Sequence, residues 1–79
     1  MQEMLTYESA RTIWTPILRA KFASGSELAL LLQSTGNKLL LERARFGNSR
    51  WGGKVKDGEV LGHNWMGRLL MERRDALNE

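Results

Sequence analysis

The sequence contains no cysteine, one proline and one histidine. Without cysteine the chain cannot form a disulfide, a thiolate nucleophile, a zinc ribbon or an iron–sulfur ligand set. The single histidine, His63, excludes a metal site built on two histidines, and neither a metal nor another cofactor is predicted. The longest apolar run, Leu28–Leu32, is far shorter than the ~20 residues of a membrane-spanning helix, and the acidic N-terminus does not resemble a signal peptide. These absences predict a soluble, cytoplasmic protein with no membrane partner.

The 79 residues can form only one small domain, residues 1–79. A domain of this size buries only about 60% of its unfolded surface, so we expect a stability of ~3–5 kcal/mol. Positive charge is concentrated in the middle of the chain, where six basic residues stand against one acid, Glu42: Lys38, Arg43, Arg45, Arg50, Lys54 and Lys56. With Phe46 and Trp51 interleaved, this segment is either a site for a phosphorylated ligand or nucleic-acid strand, or a solvated face.

Two helices are predicted in the first half of the chain. Apolar residues recur on one face of Arg11–Phe22, which indicates a helix there. Pro16 lies inside it and costs ~3 kcal/mol, so either the helix is kinked or Thr15 caps a helix that starts at Pro16. The second helix follows the N-cap Ser26 and stops at Gly36.

The second half combines irregular segments with a third helix. Leu39–Leu41 is predicted to be a short buried strand or extended segment, and residues 47–62 are predicted to be a loop. Inside that loop, Asp57-Gly58 favours a tight hairpin turn. The third helix runs from the N-cap Asn64 to about Leu77. The predicted fold class is therefore mainly α: about three helices with a short extended segment or hairpin.

The start of the third helix is a candidate anion site. Residues 62–67 carry two glycines at phosphate-loop spacing, but Arg68-Leu69 replaces the Lys-Ser/Thr of a nucleoside triphosphatase. A glycine-rich loop that leads into a helix still exposes amide N–H groups to anions. Gly62–Asn64 is therefore a candidate phosphate site, with ordinary helix capping as the alternative. His63, within it, is either a catalytic group or a surface or capping residue.

Two further positions indicate close contacts. Gly67 costs ~1 kcal/mol relative to alanine inside a helix, which indicates that another helix or a ligand approaches it. Trp51, followed by Gly52 and Gly53, is able to present an indole face to a flat ring. The alternative is that Trp51 fills the core beneath a long loop.

A series of short stretches also stands in an order found in one known family. They are Arg19-Ala20-Lys21-Phe22, Glu27-Leu28, Leu31-Leu32, Ser34-Thr35-Gly36, Leu39–Glu42, Trp51-Gly52 and Asn64-x-x-Gly67-x-Leu69-Leu70-Met71-Glu72-x-Arg74. Together, over roughly residues 13–78, they resemble the C-terminal half of the NADAR (YbiA-like) family. The set that ends in Asn-x-x-Gly-x-Leu-Leu-Met-Glu is the most specific part.

The resemblance implies a mainly helical fold and N-glycosidase chemistry. Family members hydrolyse the bond between a ribose and an amine or base, in ribosylated intermediates such as those of the riboflavin pathway or in ADP-ribosylated targets. The implied ligand is therefore a ribose phosphate or an ADP-ribose type compound. By that likeness Trp51 stacks on it, Gly52 leaves room beside the ring, and Asn64 forms a hydrogen bond or positions the loop. The basic segment, including Lys54, would meet phosphate.

Two departures from the family pattern affect the catalytic residues. The family's N-terminal half, with its acidic Ser-Glu-His-Tyr-type motif, has no counterpart in this sequence, and Gly53 stands where an acid is expected after Trp51-Gly52. Cleavage of a glycosidic bond passes through an oxocarbenium-like centre that needs a nearby carboxylate and a positioned water. Asp57, at the hairpin tip, is the candidate substitute for that carboxylate.

Three hypotheses follow. In the first, the chain is a partial N-glycosidase domain, completed by a second polypeptide or by self-association. In the second, it is a non-catalytic module that binds ribose phosphate or ADP-ribose. In the third, it is a small basic module that interacts with nucleic acid or protein.

Overall fold

The computed structural model describes residues 6–43 and 50–79 of the chain. In chain order the elements are helix α1 (Tyr7–Lys21), helix α2 (Glu27–Ser34), strand β1 (Lys54–Lys56), strand β2 (Glu59–Leu61) and helix α3 (Trp65–Leu77). Helix α3 packs against both α1 and α2 and is therefore the central element. This mainly helical arrangement with one hairpin is the fold class that the sequence predicts. Within the described residues, no helix is long and apolar enough to cross a bilayer.

Helix α1 begins about one turn earlier than predicted and continues through its proline. Thr6 is the N-cap: its side chain accepts a hydrogen bond from the Ser9 N–H at 3.1 Å, and the Thr6 N–H donates to Ser9 Oγ at 3.1 Å. The alternative in which Thr15 caps a helix starting at Pro16 is wrong, because Pro16 lies within one continuous helix. The capping box starts the helix upstream of Pro16, and packing against α3 offsets the cost of the donor that proline lacks.

Helix α2 begins and ends where the sequence predicts. The Ser26 side chain accepts a hydrogen bond from the Ala29 N–H at 3.1 Å, so Ser26 is the N-cap. The helix ends at Ser34, and Gly36 follows with a φ of 62°. Glycine adopts this left-handed conformation without a Cβ penalty, which is why it terminates helices so often.

The predicted hairpin is confirmed, whereas the predicted strand before it is not. Strands β1 and β2 pair antiparallel, and Asp57 and Gly58 between them have φ angles of 53° and 81°, as a type I′ turn requires. Of the two alternatives for Leu39–Leu41, the buried strand is wrong, because the segment belongs to no strand and Leu39 is 53% exposed. An isolated bridge joins Arg43 to Gly53. Residues 44–49, and with them Arg45 and Phe46 of the basic segment, lie outside the described residues.

The described residues form a thin core and leave much apolar surface uncovered. Six apolar residues are buried: Ala10, Leu18, Ala29, Leu32, Trp65 and Leu69. Nine large apolar residues are exposed: Ile13, Ile17, Leu28, Leu30, Leu31, Leu39, Val55, Val60 and Leu61. Two of the buried six are alanines, so each helix contributes few large side chains to the core. Extensive exposed apolar surface is typical of a protein that binds another molecule.

Candidate functional site

Residues 50–53, here called the strap, lie across the first turn of α3. Three backbone hydrogen bonds join them, each from an N–H group at the start of α3 to a strap carbonyl: Asn64 to Gly52 at 3.0 Å, Trp65 to Arg50 at 2.9 Å and Met66 to Trp51 at 3.1 Å. The first N–H groups of a helix have no partner inside the helix. The strap carbonyls supply those partners, so these amide N–H groups are not available to bind an anion at the candidate phosphate site.

Asn64 connects the start of α3 to the irregular segment that follows α2. It occupies the predicted N-cap position, but its side chain makes no capping hydrogen bond. Instead its Nδ2 donates to the Leu40 carbonyl at 2.8 Å, and its Oδ1 accepts from the Glu42 N–H at 3.0 Å. The residue is 4% exposed and left-handed, with a φ of 50°, a conformation that asparagine tolerates better than most residues. Asn64 is therefore a positioning residue for the strap and its surroundings.

Two glycines allow these segments to approach one another. A Cβ atom on Gly67 would overlap the Leu40 carbonyl and the Asn64 side-chain amide. The approach predicted at Gly67 is therefore made by an irregular segment and not by another helix. A Cβ atom on Gly53 would lie 2.9 Å from the carbonyl oxygen of Leu61 in β2. Because β2 occupies that space, Gly53 has no room for the acid that the family pattern places there.

Trp51 belongs to a chain of aromatic rings on the strap side of the helices. Its ring centroid lies 5.9 Å from that of Trp14 and 5.6 Å from that of Trp65, both edge to face. Tyr7 extends the chain, with its centroid 6.1 Å from that of Trp65. Edge-to-face pairs of this kind each stabilise a fold by about 0.5–1.5 kcal/mol beyond burial. Trp51 therefore packs against the neighbouring rings, and its intermediate burial leaves part of the residue accessible.

The remaining predicted site residues are exposed around the hairpin. His63 packs its ring against Trp65, with 6.0 Å between centroids. Lys54 pairs with Leu61 at the open end of the hairpin, next to Gly62. Asp57 lies at the tip, about 10 Å of strand away from Lys54, and makes no hydrogen bond or ion pair within the described part of the chain. The fold thus brings Trp51, Gly52, Asn64, Gly62 and His63 to the start of α3, and it places Asp57 at the far end of the hairpin.

A polar cluster beside the aromatic chain was not predicted. The Tyr7 hydroxyl donates to Glu72 Oε1 at 3.1 Å, and Arg11 Nε donates to Glu72 Oε2 at 2.9 Å. The Arg68 guanidinium lies over the Tyr7 ring, 3.8 Å from its centroid. Burial, and next the hydrogen bond to Glu72, raise the pKa of Tyr7 above its ordinary value. The partners of Glu72 lie more than sixty residues away in the sequence, so local patterns do not indicate this cluster. The sequence signal for it is that Glu72 belongs to the stretch that resembles the NADAR pattern.

Arg74, also within that stretch, connects α3 to the end of α2. It is 5% exposed, and its Nη1 donates to Thr35 Oγ1 at 2.8 Å and to the Lys38 carbonyl at 2.7 Å. Its Nε has no partner among the described residues. A guanidinium beside the last carbonyls of α2 is stabilised by the negative end of the helix dipole. Arg74 therefore supports the packing of α2 on α3.

Among the described residues, no group of three or more His, Asp or Glu side chains is placed to hold a metal ion. Comparison of the chain with protein-family models, with curated proteins and with solved structures gives no match. The NADAR likeness therefore depends on the stretches quoted above and on how the chain arranges them.

Proposed function

We propose that the chain forms the C-terminal half of a NADAR-like N-glycosidase site for ribosylated or ADP-ribosylated compounds. One observation carries the proposal: Trp51-Gly52 and Asn64-x-x-Gly67, the two family-like stretches with implied ligand roles, meet in space. Their hydrogen bonds run from the Asn64 N–H to Gly52 and from the Met66 N–H to Trp51. This contact places a partly accessible indole beside the start of α3, where a ribose and its base would stack.

The positions of Asp57, Glu72 and Gly53 account for the second part of the proposal. Hydrolysis needs a carboxylate beside the anomeric carbon and a water on its other face. Asp57 lies at the hairpin tip, and Glu72 is held by Arg11 and the Tyr7 hydroxyl. Gly53 has no room for an acid beside the strap. We therefore infer that the catalytic carboxylate comes from a complementary segment equivalent to the family's N-terminal half.

An apolar groove that is linked to Asn64 through Leu40 is the docking surface that we assign to this segment. The groove has a volume of about 270 Å³ and is lined by Thr35 and by seven leucine and phenylalanine side chains. Leu31, on its rim, is 65% exposed. Leu40 lines the groove and also accepts the hydrogen bond from Asn64 Nδ2. A segment seated in the groove would therefore end close to the strap.

Complementation tests this proposal directly. The chain is mixed with a separately expressed N-terminal half of a NADAR-family domain, and release of free amine from an N-ribosylated amine 5′-phosphate is followed by chromatography. The chain alone is expected to give no turnover, and the mixture is expected to release amine. A mixture that forms a complex by size-exclusion chromatography but stays inactive on ribosylated and ADP-ribosylated substrates refutes the proposal.

The hairpin carboxylate is tested in the same assay with Asp57→Asn, because asparagine also tolerates the positive φ at this position. The matched control is Glu59→Gln, which removes an exposed carboxylate from the same hairpin. Both variants are expected to keep the activity of the mixture. Loss of activity in Asp57→Asn alone would assign the catalytic role to Asp57.

Ligand binding without catalysis is the second candidate function, and the part-accessible Trp51 indole supports it. A nuclear magnetic resonance titration of the full chain with ADP-ribose separates the two. Saturable shifts of the Trp51 indole N–H, with no turnover by either the chain or the mixture, would support a binding module. Steep salt-dependent affinity for oligonucleotides with indifference to ADP-ribose would instead favour the nucleic-acid hypothesis.

A further inference from the structure

A second cavity lies between α1 and α3. It has a volume of about 190 Å³, and its floor is formed by the buried side chains of Leu18 and Leu69. The polar residues that line it are Arg11, Thr15 and Arg19 from α1 with Glu72 and Arg73 from α3. The three from α1 are spaced four residues apart, which places them along one face of the helix.

The cavity walls carry an excess of positive charge. Three guanidinium groups stand against the single carboxylate of Glu72, a net charge of about +2 while all four groups are ionised. Arg11 uses its Nε for Glu72, and Arg73 donates from Nε and Nη2 to the Phe22 carbonyl at 3.1 and 2.9 Å. The Arg19 guanidinium makes no hydrogen bond or ion pair within residues 6–43 and 50–79. Donors on at least two guanidinium groups therefore stay available to a ligand.

The positive charges of Arg11, Arg19 and Arg73 repel one another across the cavity. Arg19 has no acidic partner that would offset this repulsion. Such an arrangement is expected where an anion supplies the missing negative charge. Two net positive charges match the dianion of a phosphate monoester, and guanidinium forks donate paired N–H groups to phosphate oxygens. The volume is below the ~300 Å³ typical of sites that enclose a whole organic ligand. The cavity therefore suits a small monoester better than a larger organic ligand.

We propose that the cavity between α1 and α3 binds the phosphate group of a small phosphate monoester, with Arg19 and Thr15 as its contacts on α1 and Arg73 as its contact on α3. The site lies on the α1 face of α3, and the strap crosses only the first turn of that helix. The proposal does not depend on N-glycosidase activity.

Titration of the full chain with phenyl phosphate tests the proposal, with backbone amides followed by nuclear magnetic resonance at constant ionic strength. The expected result is a saturable shift of the amides of residues 15, 19 and 73. Arg19→Gln, at an exposed and unpaired position, is expected to weaken binding about tenfold or more because it removes a charge-assisted hydrogen-bond donor. Lys21→Gln removes the same charge from an exposed residue of the same helix that does not line the cavity, and it is expected to bind as the original chain does.

Arg19→Lys keeps the charge but loses the planar fork, and it is expected to fall between the other two variants. Inorganic phosphate as the second titrant identifies the source of the phosphate. Equal affinity for both titrants supports a site for the phosphate group alone, and tighter binding of phenyl phosphate supports a site for a monoester. The proposal is overturned if neither titrant shifts these amides, or if Arg19→Gln and Lys21→Gln weaken binding equally in folded protein.

Discussion

Replacement of Gly67 by alanine is the sharpest test of how the site is assembled. On helix propensity alone, Gly67→Ala should stabilise α3 by about 1 kcal/mol. The structure predicts the opposite, because the new methyl group would occupy the space of the Leu40 carbonyl and the Asn64 amide. Overpacking costs about 1–3 kcal/mol. Loss of a buried hydrogen bond of Asn64 costs about 1–3 kcal/mol more.

The net expectation is a loss of about 1–5 kcal/mol, which is comparable to the whole stability of so small a domain. Urea unfolding followed by tryptophan fluorescence measures it, since Trp51 belongs to the strap and the Trp65 N–H is hydrogen-bonded to it. For a chain of this length, the free energy of unfolding falls by about 1 kcal/mol per molar urea. A loss at the lower bound, about 1 kcal/mol, therefore moves the midpoint of unfolding by about 1 M urea. Circular dichroism at 222 nm checks that the helices unfold in the same transition.

Ala76→Gly is the matched control, since Ala76 is exposed on the same helix. It is expected to lose only the propensity difference of about 1 kcal/mol. The double variant Gly67→Ala with Asn64→Gly should cost less than the sum of the single variants, because removal of the Asn64 side chain takes away part of the clash. A Gly67→Ala variant that is as stable as the original chain, or more stable, would refute the close approach.

Three further predictions concern the same surroundings. Asn64→Asp replaces the Nδ2 donor with an oxygen that faces the Leu40 carbonyl, so the free energy of unfolding should fall by about 2 kcal/mol or more at neutral pH. Gly53→Asp introduces an acid whose Cβ meets the Leu61 carbonyl of β2, and chemical denaturation should show the variant less stable by about 1–3 kcal/mol. Burial and the Glu72 hydrogen bond raise the pKa of Tyr7 above 10.0. The neutral phenol therefore stabilises the folded state. This contribution should be fully present below pH 10 and should be lost as the pH rises through the raised pKa. Since Tyr7 is the only tyrosine, ultraviolet absorbance of the phenolate follows its ionisation directly. Ionisation should require a higher pH in the folded protein than in the protein unfolded by urea.

Each of these predictions has its own control. Asn37→Asp, at an exposed position, should leave the unfolding curve nearly unchanged. Lys54→Asp adds an exposed acid next to Gly53 without adding a Cβ there, so a loss equal to that of Gly53→Asp would show that charge and not space is responsible. Tyr7→Phe should remove that part of the alkaline stability loss which begins above pH 10. A phenolate that forms at the same pH in folded and unfolded protein would contradict the Tyr7 geometry.

Local sequence signals predicted the regular elements well, but they predicted the site only in part. Ser26 and Asp57-Gly58 act on backbone within a few residues, so their outcome depends little on the rest of the chain. Pro16 shows where this reasoning fails: a local rule allowed a helix that starts at Pro16 with Thr15 as its cap, whereas the upstream cap and the contact with α3 support a helix on both sides of the proline. At Leu39–Leu41, apolar composition indicated a buried strand or an extended segment, but a strand needs a partner of suitable register, and among the described residues of this segment the isolated bridge is at Arg43.

The sequence by itself determined the cap of α2 at Ser26 and the hairpin turn at Asp57-Gly58, because each follows from the conformational limits of neighbouring residues. Tertiary structure alone decided what those residues contact. Asn64 has the sequence position of a cap, yet its side chain bonds to a carbonyl 24 residues away. Glu72 meets a tyrosine 65 residues away, and the arginines of the α1–α3 cavity come together only when the two helices pack. Such contacts depend on the path of the whole chain, because a side chain forms hydrogen bonds only with atoms that the folded backbone places within about 3 Å of it.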